Sequence, residues 1–245
     1  MHHRSRLTLA GLLSIMAGVG PAAADVIFTD TTFNPANYVS SPVFSSDPSA
    51  SIVSTFSPGQ LQFTSTFTAP GNPPTYTVAE GLVNTTFTYN PLTQGAISSI
   101  DASVFKNIAT SFSATGFANT CRPAIEQAGV FYLAAIPGAT FNGPNEPGGT
   151  GFLSFSQSGL TASDFLSFDF STGTFGTANP NFAGGPLTLG LSQITQIGID
   201  QTGNLITQFQ DLSFDIHTAV PEPGSLALLG IALAGFVTIR RRRAM

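Results

Sequence analysis

Positive charge, cysteine and tryptophan are all scarce in this chain of 245 residues: it has eight Lys and Arg, one Cys and no Trp. Each shortage excludes something. Six of the eight cations sit at the two ends, Arg4 and Arg6 in front and Arg240, Arg241, Arg242 and Arg243 behind, which leaves Lys106 and Arg122 between them. From Asp25 to Ala219 twelve acids face those two cations. Phosphate backbones are held by clustered Lys and Arg, so nucleic acid is excluded as a partner. Cys121 has no second cysteine to pair with, which rules out an intrachain disulfide even in an oxidising compartment. His2 and His3 lie at the extreme front, and His217 is left as the body's one imidazole, close to the C-terminal tail. A Ser-His-Asp relay or a zinc site is hard to build from that position, so no catalytic residue and no metal ligand is assigned. There is no P-loop and no strand-GxGxxG-helix unit, so nucleotide binding has no support. The body's glutamates are Glu80, Glu126 and Glu146, and no compact acidic motif marks a glycosidase pair.

What is abundant is Phe, with 22 residues, together with 25 Gly and 17 Pro. The length fits one domain plus short appendages. Between Asp25 and Ala219 helical periodicity is lacking, and apolar and polar residues alternate in short runs. Leu61, Phe63 and Phe67 alternate with Gln62, Thr64, Thr66 and Thr68; Thr85, Phe87 and Tyr89 alternate with Thr86 and Thr88. A period of two is the mark of a half-buried strand. Similar runs cover 100–105, 129–136, 151–156, 165–170, 187–191, 194–200 and 205–216, with Gln201-Thr202-Gly203-Asn204 as a turn. Gly/Pro-rich loops are expected over 70–74, 137–149 and 178–186. Many short strands with frequent turns predict an all-β fold, an antiparallel β-sandwich of jelly-roll type, its core filled by Phe.

The two ends read differently from the body. Residues 1–24 have a basic start, an apolar stretch from Leu7 to Val19, and small residues at Ala22 and Ala24 before Asp25. That is the layout of a secretory signal, with cleavage by signal peptidase expected after Ala24. At the other end Val220-Pro221-Glu222-Pro223 precedes an apolar run, Leu226 to Ile239, and then the four arginines. The two prolines hold their segment extended and exposed. The run is expected as one C-terminal transmembrane helix, a short one, with Arg240, Arg241, Arg242 and Arg243 keeping its end on the cytoplasmic side.

Signature, apolar run and terminal Arg cluster, in that order, resemble the PEP-CTERM sorting domain over residues 220–245. The resemblance implies that an exosortase recognises the motif, cuts near it and delivers the chain, by way of the inner membrane, to the cell surface or extracellular matrix of a Gram-negative bacterium. The expected organisation is therefore a signal peptide at 1–24, a β-sandwich at 25–219 and a sorting tail at 220–245. The expected function is that of a non-enzymatic exported surface or matrix protein. The alternative is a carbohydrate-binding module acting on exopolysaccharide in a biofilm matrix, with extracellular polysaccharide as partner. Its weak point is the shortage of aromatic platforms: no Trp, and four Tyr at positions 38, 76, 89 and 132. No cofactor is required. Calcium is the one to name, since Asp164 and Asp169, or Asp211 and Asp215, could contribute oxygen ligands.

Overall fold

The computed structural model describes residues 25–68, 75–110, 117–135, 151–198 and 202–219. The alternation in the sequence appears here as two antiparallel sheets whose apolar faces meet. The six-stranded sheet contains β1 (Val26–Asp30), β4 (Ala50–Ser57), β5 (Gln60–Phe67), β7 (Ile97–Thr110), β10 (Leu153–Leu160) and β14 (Gly203–Thr218). Its order is β10-β7-β14-β5-β4, with β1 also paired to β14. The eight-stranded sheet contains β2 (Tyr38–Ser40), β3 (Phe44–Ser45), β6 (Thr75–Tyr89), β8 (Phe117–Gln127), β9 (Val130–Ala134), β11 (Phe165–Asp169), β12 (Thr174–Phe175) and β13 (Leu187–Gly198). It runs β12-β11-β9-β8-β13-β6-β2, with β3 also on β6.

Between the sheets one apolar core gathers Ile52, Leu61, Phe63, Val78, Leu82, Ile100, Val104, Ile125, Leu189, Leu191, Phe209 and Phe214, all nearly or fully buried. Burying such side chains is the main favourable term in a fold of this kind. The core is crossed by a polar seam. Ser54 donates to Glu80 (2.7 Å), Ser65 donates to Thr195 (3.0 Å), and Asn119 donates to Thr207 (2.6 Å), each bond joining one sheet to the other. A further tie is Asp30, at the end of β1. Its carboxylate accepts the Thr32 and Phe33 amides, the Thr32 and Tyr38 hydroxyls, and the Asn84 amide of β6. Burial works against its ionisation, but the Phe33 and Thr32 amides with the Tyr38 and Thr32 hydroxyls outweigh it and hold the carboxyl below the ordinary range.

The last strand carries the feature that matters most for the outer surface. Leu205, Thr207 and Phe209 face the core at odd positions, whereas Leu212, Phe214 and Ile216 face it at even ones. The change of phase is made by a β-bulge between Gln210 and Ser213, where Asp211 adopts φ 51°. One extra residue reverses which side chains point outward. Ser213, Asp215 and His217 are thereby turned to the outer face.

The expected fold class needs correction. Among the described residues no helix is long and apolar enough to cross a membrane. The helix there is confined to α1 (Pro91–Gln94) and two short 3-10 turns. The transmembrane helix expected over 226–239 lies outside the described residues, as does the signal at 1–24. Physically, fourteen apolar residues reach about 21 Å, short of a hydrocarbon core of about 30 Å. The expected antiparallel sandwich is therefore found as two packed sheets, and what is corrected is the C-terminal span: no membrane-crossing helix is present among the described residues. The runs at 187–191 and 194–200 also merge into the single strand β13, and β8 was not expected at all.

Candidate functional site

The outer face of the six-stranded sheet collects polar groups from three strands. On β7, Asp101 and Ser103 point away from the core that Ile100, Ala102 and Val104 fill. They lie directly opposite Asp215 and Ser213 of β14, and Ser103 is also opposite Ser156 of β10. Together with Gln157 and Ser158 these side chains line an open groove of about 220 Å³. One wall is fixed by a bulge in β10. Gly159 takes φ 70°, a conformation that costs glycine little, and turns its amide onto Asp101 Oδ1 at 2.6 Å.

At the end of the groove stands His217. Its Nδ1 lies 3.1 Å from Asp25 Oδ2 and its Nε2 lies 3.3 Å from Asp101 Oδ2. The Asp25 carboxylate, and then that of Asp101, favour the imidazolium and raise the His217 pKa above its ordinary value. Asp215 approaches from the same strand, and its Oδ1 is enclosed without a hydrogen-bond partner. Ligand atoms of Asp25, Asp215 and His217 all lie within 4.8 Å of one another, a spacing that could hold a metal ion. Asp25 is exposed and the other two are half-buried.

His217, expected to lie too near the tail for a site to be built on it, is met there by aspartates from two other parts of the chain. The register of β1 and β7 on β14 brings Asp25 and Asp101 to it, and nothing in the local sequence signals that meeting. Of the four aspartates named for calcium, only Asp215 takes part. The Asp164 carboxylate accepts the Thr161 amide and hydroxyl, and that of Asp169 accepts the Ser171 amide and hydroxyl, so both cap turns of their own. Asp211 forms the bulge. Asp25 was named for signal cleavage and is found in the cluster. Ala22, Ala24, Val220, Pro221, Glu222, Pro223, Arg240, Arg241, Arg242 and Arg243 lie outside the described residues.

A second groove, on the eight-stranded sheet, is apolar. Pro42, Val130, Phe131, Phe168 and Phe170 line about 290 Å³ together with Asp169 and Ser171. Its rings pack edge-on: Phe168 lies 4.7 Å from Phe170 and 4.9 Å from Phe175, and Phe131 lies 5.4 Å from Phe170. Phe168 and Phe170 are buried over Ala79, Ala124 and Leu133 as a small second core. Arg122 stacks its guanidinium on Phe175 and donates to the Ala134 carbonyl. It makes no ion pair with Glu126, whose carboxylate accepts the Gly129 amide instead. The tyrosines do not form a platform either: Tyr76 and Tyr89 are buried, Tyr132 packs against the core, and the hydroxyl of half-buried Tyr38 is bound to Asp30.

Residues 219–243 match the PEP-CTERM protein-sorting motif. No curated protein matches the chain. Among solved structures it is similar to arcelin-5, a lectin-like defense protein from Phaseolus vulgaris, with 11% identity over 80% of this chain and 99% of that one, at a TM-score of 0.40. It is similar to the winged bean acidic lectin complexed with methyl-alpha-D-galactose, with 14% identity over 79% and 98% and a TM-score of 0.42. A carbohydrate-binding module studied for specific mannan recognition gives 12% over 80% and 100%, at 0.31. At these scores the function has to be argued from the chain's own residues.

Proposed function

We propose that this is an exported, non-enzymatic protein of the cell surface or extracellular matrix of a Gram-negative bacterium, and that its body binds carbohydrate. The PEP-CTERM sorting motif at 219–243 is the observation that carries export. In this reading signal peptidase removes 1–24 after Ala24, and an exosortase acts at Val220-Pro221-Glu222-Pro223, so that Arg240 to Arg243 are lost with the tail. The cargo is the body, 25–219. Replacing Pro221 and Pro223 by Ala in the producing strain tests this: intact mass should then show Arg243 retained and the protein withheld from the surface. Normal delivery at normal mass would refute it.

Carbohydrate binding is supported by the polar groove rather than by aromatic stacking. Carboxylates at Asp101 and Asp215, hydroxyls at Ser103 and Ser156, the Ser213 oxygen, whose proton is donated to the Phe28 carbonyl, and the side chain of Gln157 bring donors and acceptors together in one shallow concavity. Sugar hydroxyls need that mixture. Retention of the purified chain on the strain's own exopolysaccharide should fall when Gln157→Ala or Ser213→Ala is introduced. Retention that is absent in the wild type, or equal in the variants, would refute the carbohydrate reading while leaving export intact.

A further inference from the structure

Even as an imidazolium His217 answers only one of the three carboxylates around it, and no other basic side chain of the body stands beside them. Lys106 is buried in the core, and Arg122 lies on the other sheet, against Phe175. Asp101 and Asp215 are directly opposed on neighbouring strands and share one face, an arrangement that destabilises a sheet unless a cation intervenes. Asp215 Oδ1 is enclosed and unpartnered, so one acceptor is already out of water with nothing to bind.

The imidazole supplies the chemical detail. Asp101 is fixed by the Gly159 amide, and it sits 3.3 Å from His217 Nε2. A cation seated between Nδ1 and Asp25, which are 3.1 Å apart, would displace the Nδ1 proton and take up that lone pair, while Nε2–H still donates to Asp101. A carboxylate behind a histidine that faces two further carboxylates is the usual supporting arrangement of a histidine metal ligand.

We propose that Asp25, Asp215 and His217 bind a divalent transition-metal ion of the zinc class, with Asp101 as the positioning residue behind His217. One nitrogen and two carboxylate oxygens suit zinc, and they are too few oxygens for calcium, which takes six to eight. Three protein ligands leave a coordination position open, next to the groove. The site shares Asp215 and Asp101 with the polar groove but does not depend on the carbohydrate reading, because the ion is bound by the protein whether or not a sugar follows. It also ties β1 to the end of β14, since Asp25 precedes the first strand and His217 nearly ends the last.

The test is calorimetric titration of the purified chain with zinc alone, in a buffer that does not chelate it, with cobalt as a spectroscopic stand-in. The expected result is one ion per chain, with visible cobalt bands. His217→Gln and Asp215→Asn should each weaken binding by at least about tenfold, and Asp101→Asn by about tenfold. Asp164→Asn, whose carboxylate caps a remote turn, should bind as the wild type does. Melting curves establish that each variant is folded, and because Asp215→Asn and His217→Gln act independently, failure of one to fold leaves the other decisive. No binding at submillimolar zinc, or equal affinity in the wild type and both ligand variants, overturns the proposal.

Discussion

The two sheets present opposite kinds of outer surface from the same alternating pattern. On the six-stranded sheet the side chains turned from the core around the groove are Ser, Asp and His, most of them partly open to water, although Ile27, Val53, Phe105 and Leu153 are also exposed elsewhere on that sheet. On the eight-stranded sheet they include Phe131, Phe168 and Phe170, and these close over one another above small residues. Gly81 shows how closely: a Cβ there would lie 2.7 Å from the Phe170 ring. One face keeps its polar groups available, and the other uses its apolar groups for packing. Substitutions on the first should therefore affect binding with little change in stability, and substitutions on the second should do the reverse.

The largest expected effect comes from deleting Asp211. Without the bulge, Leu212, Phe214 and Ile216 would turn to solvent and Ser213, Asp215 and His217 into the core, so the cooperative thermal transition should disappear. Next is Phe168→Ala, which opens the second core and should cost about 3 kcal/mol in chemical denaturation. Its zinc and glycan binding should remain. Lys106, in the core between the sheets, tests what the faces do not share. Burial pushes it down to about 8 from an ordinary 10.5. Below about 8 the folded and unfolded chains both hold the proton, and the buried ammonium is a full liability. Between about 8 and 10.5 the unfolded chain holds more protons, so stability should rise with pH across that window. Lys106→Met should remove the rise and stabilise the protein at neutral pH, by no more than about 3 kcal/mol. Gly81→Ala should cost about 1 to 3 kcal/mol through the Phe170 clash, read as a lowered Tm. The smallest effect belongs to the polar face: Asp101→Asn in metal-free buffer should change stability by less than about 1 kcal/mol, because relief of the charge opposed by Asp215 is offset by the weakened pairing with His217 and Gly159. A loss as large as that of Phe168→Ala would erase the contrast between the faces.

Local periodicity explains which parts of this architecture can be read in advance. The core faces of β5 and of the first half of β14 follow from alternation, with Leu61, Phe63 and Phe67 on one and Leu205 and Phe209 on the other, broken at Ser65 and Thr207, which pair across the sheets. The bulge is invisible in composition: Asp211 is one more polar residue until its φ is known. Strand β8 was hidden by Pro123, since a proline argues against a strand with neighbours on both sides. It is tolerated because the pairing with β9 begins only at Ala124, one residue beyond it. The metal cluster was the least legible part. Asp25, Asp101, Asp215 and His217 come from three separate places in the chain, and only the strand register joins them. The tail was legible because its signal is contiguous, as the match over 219–243 reflects.

The first and last strands of the body run side by side, Val26 facing Ile216. A load applied between Asp25 and Thr218 would therefore open that ladder one rung at a time, like a zip, instead of shearing all its bonds at once. Held by one end alone, the same body would feel no such pull, and an affinity tag fused at either junction would land beside His217.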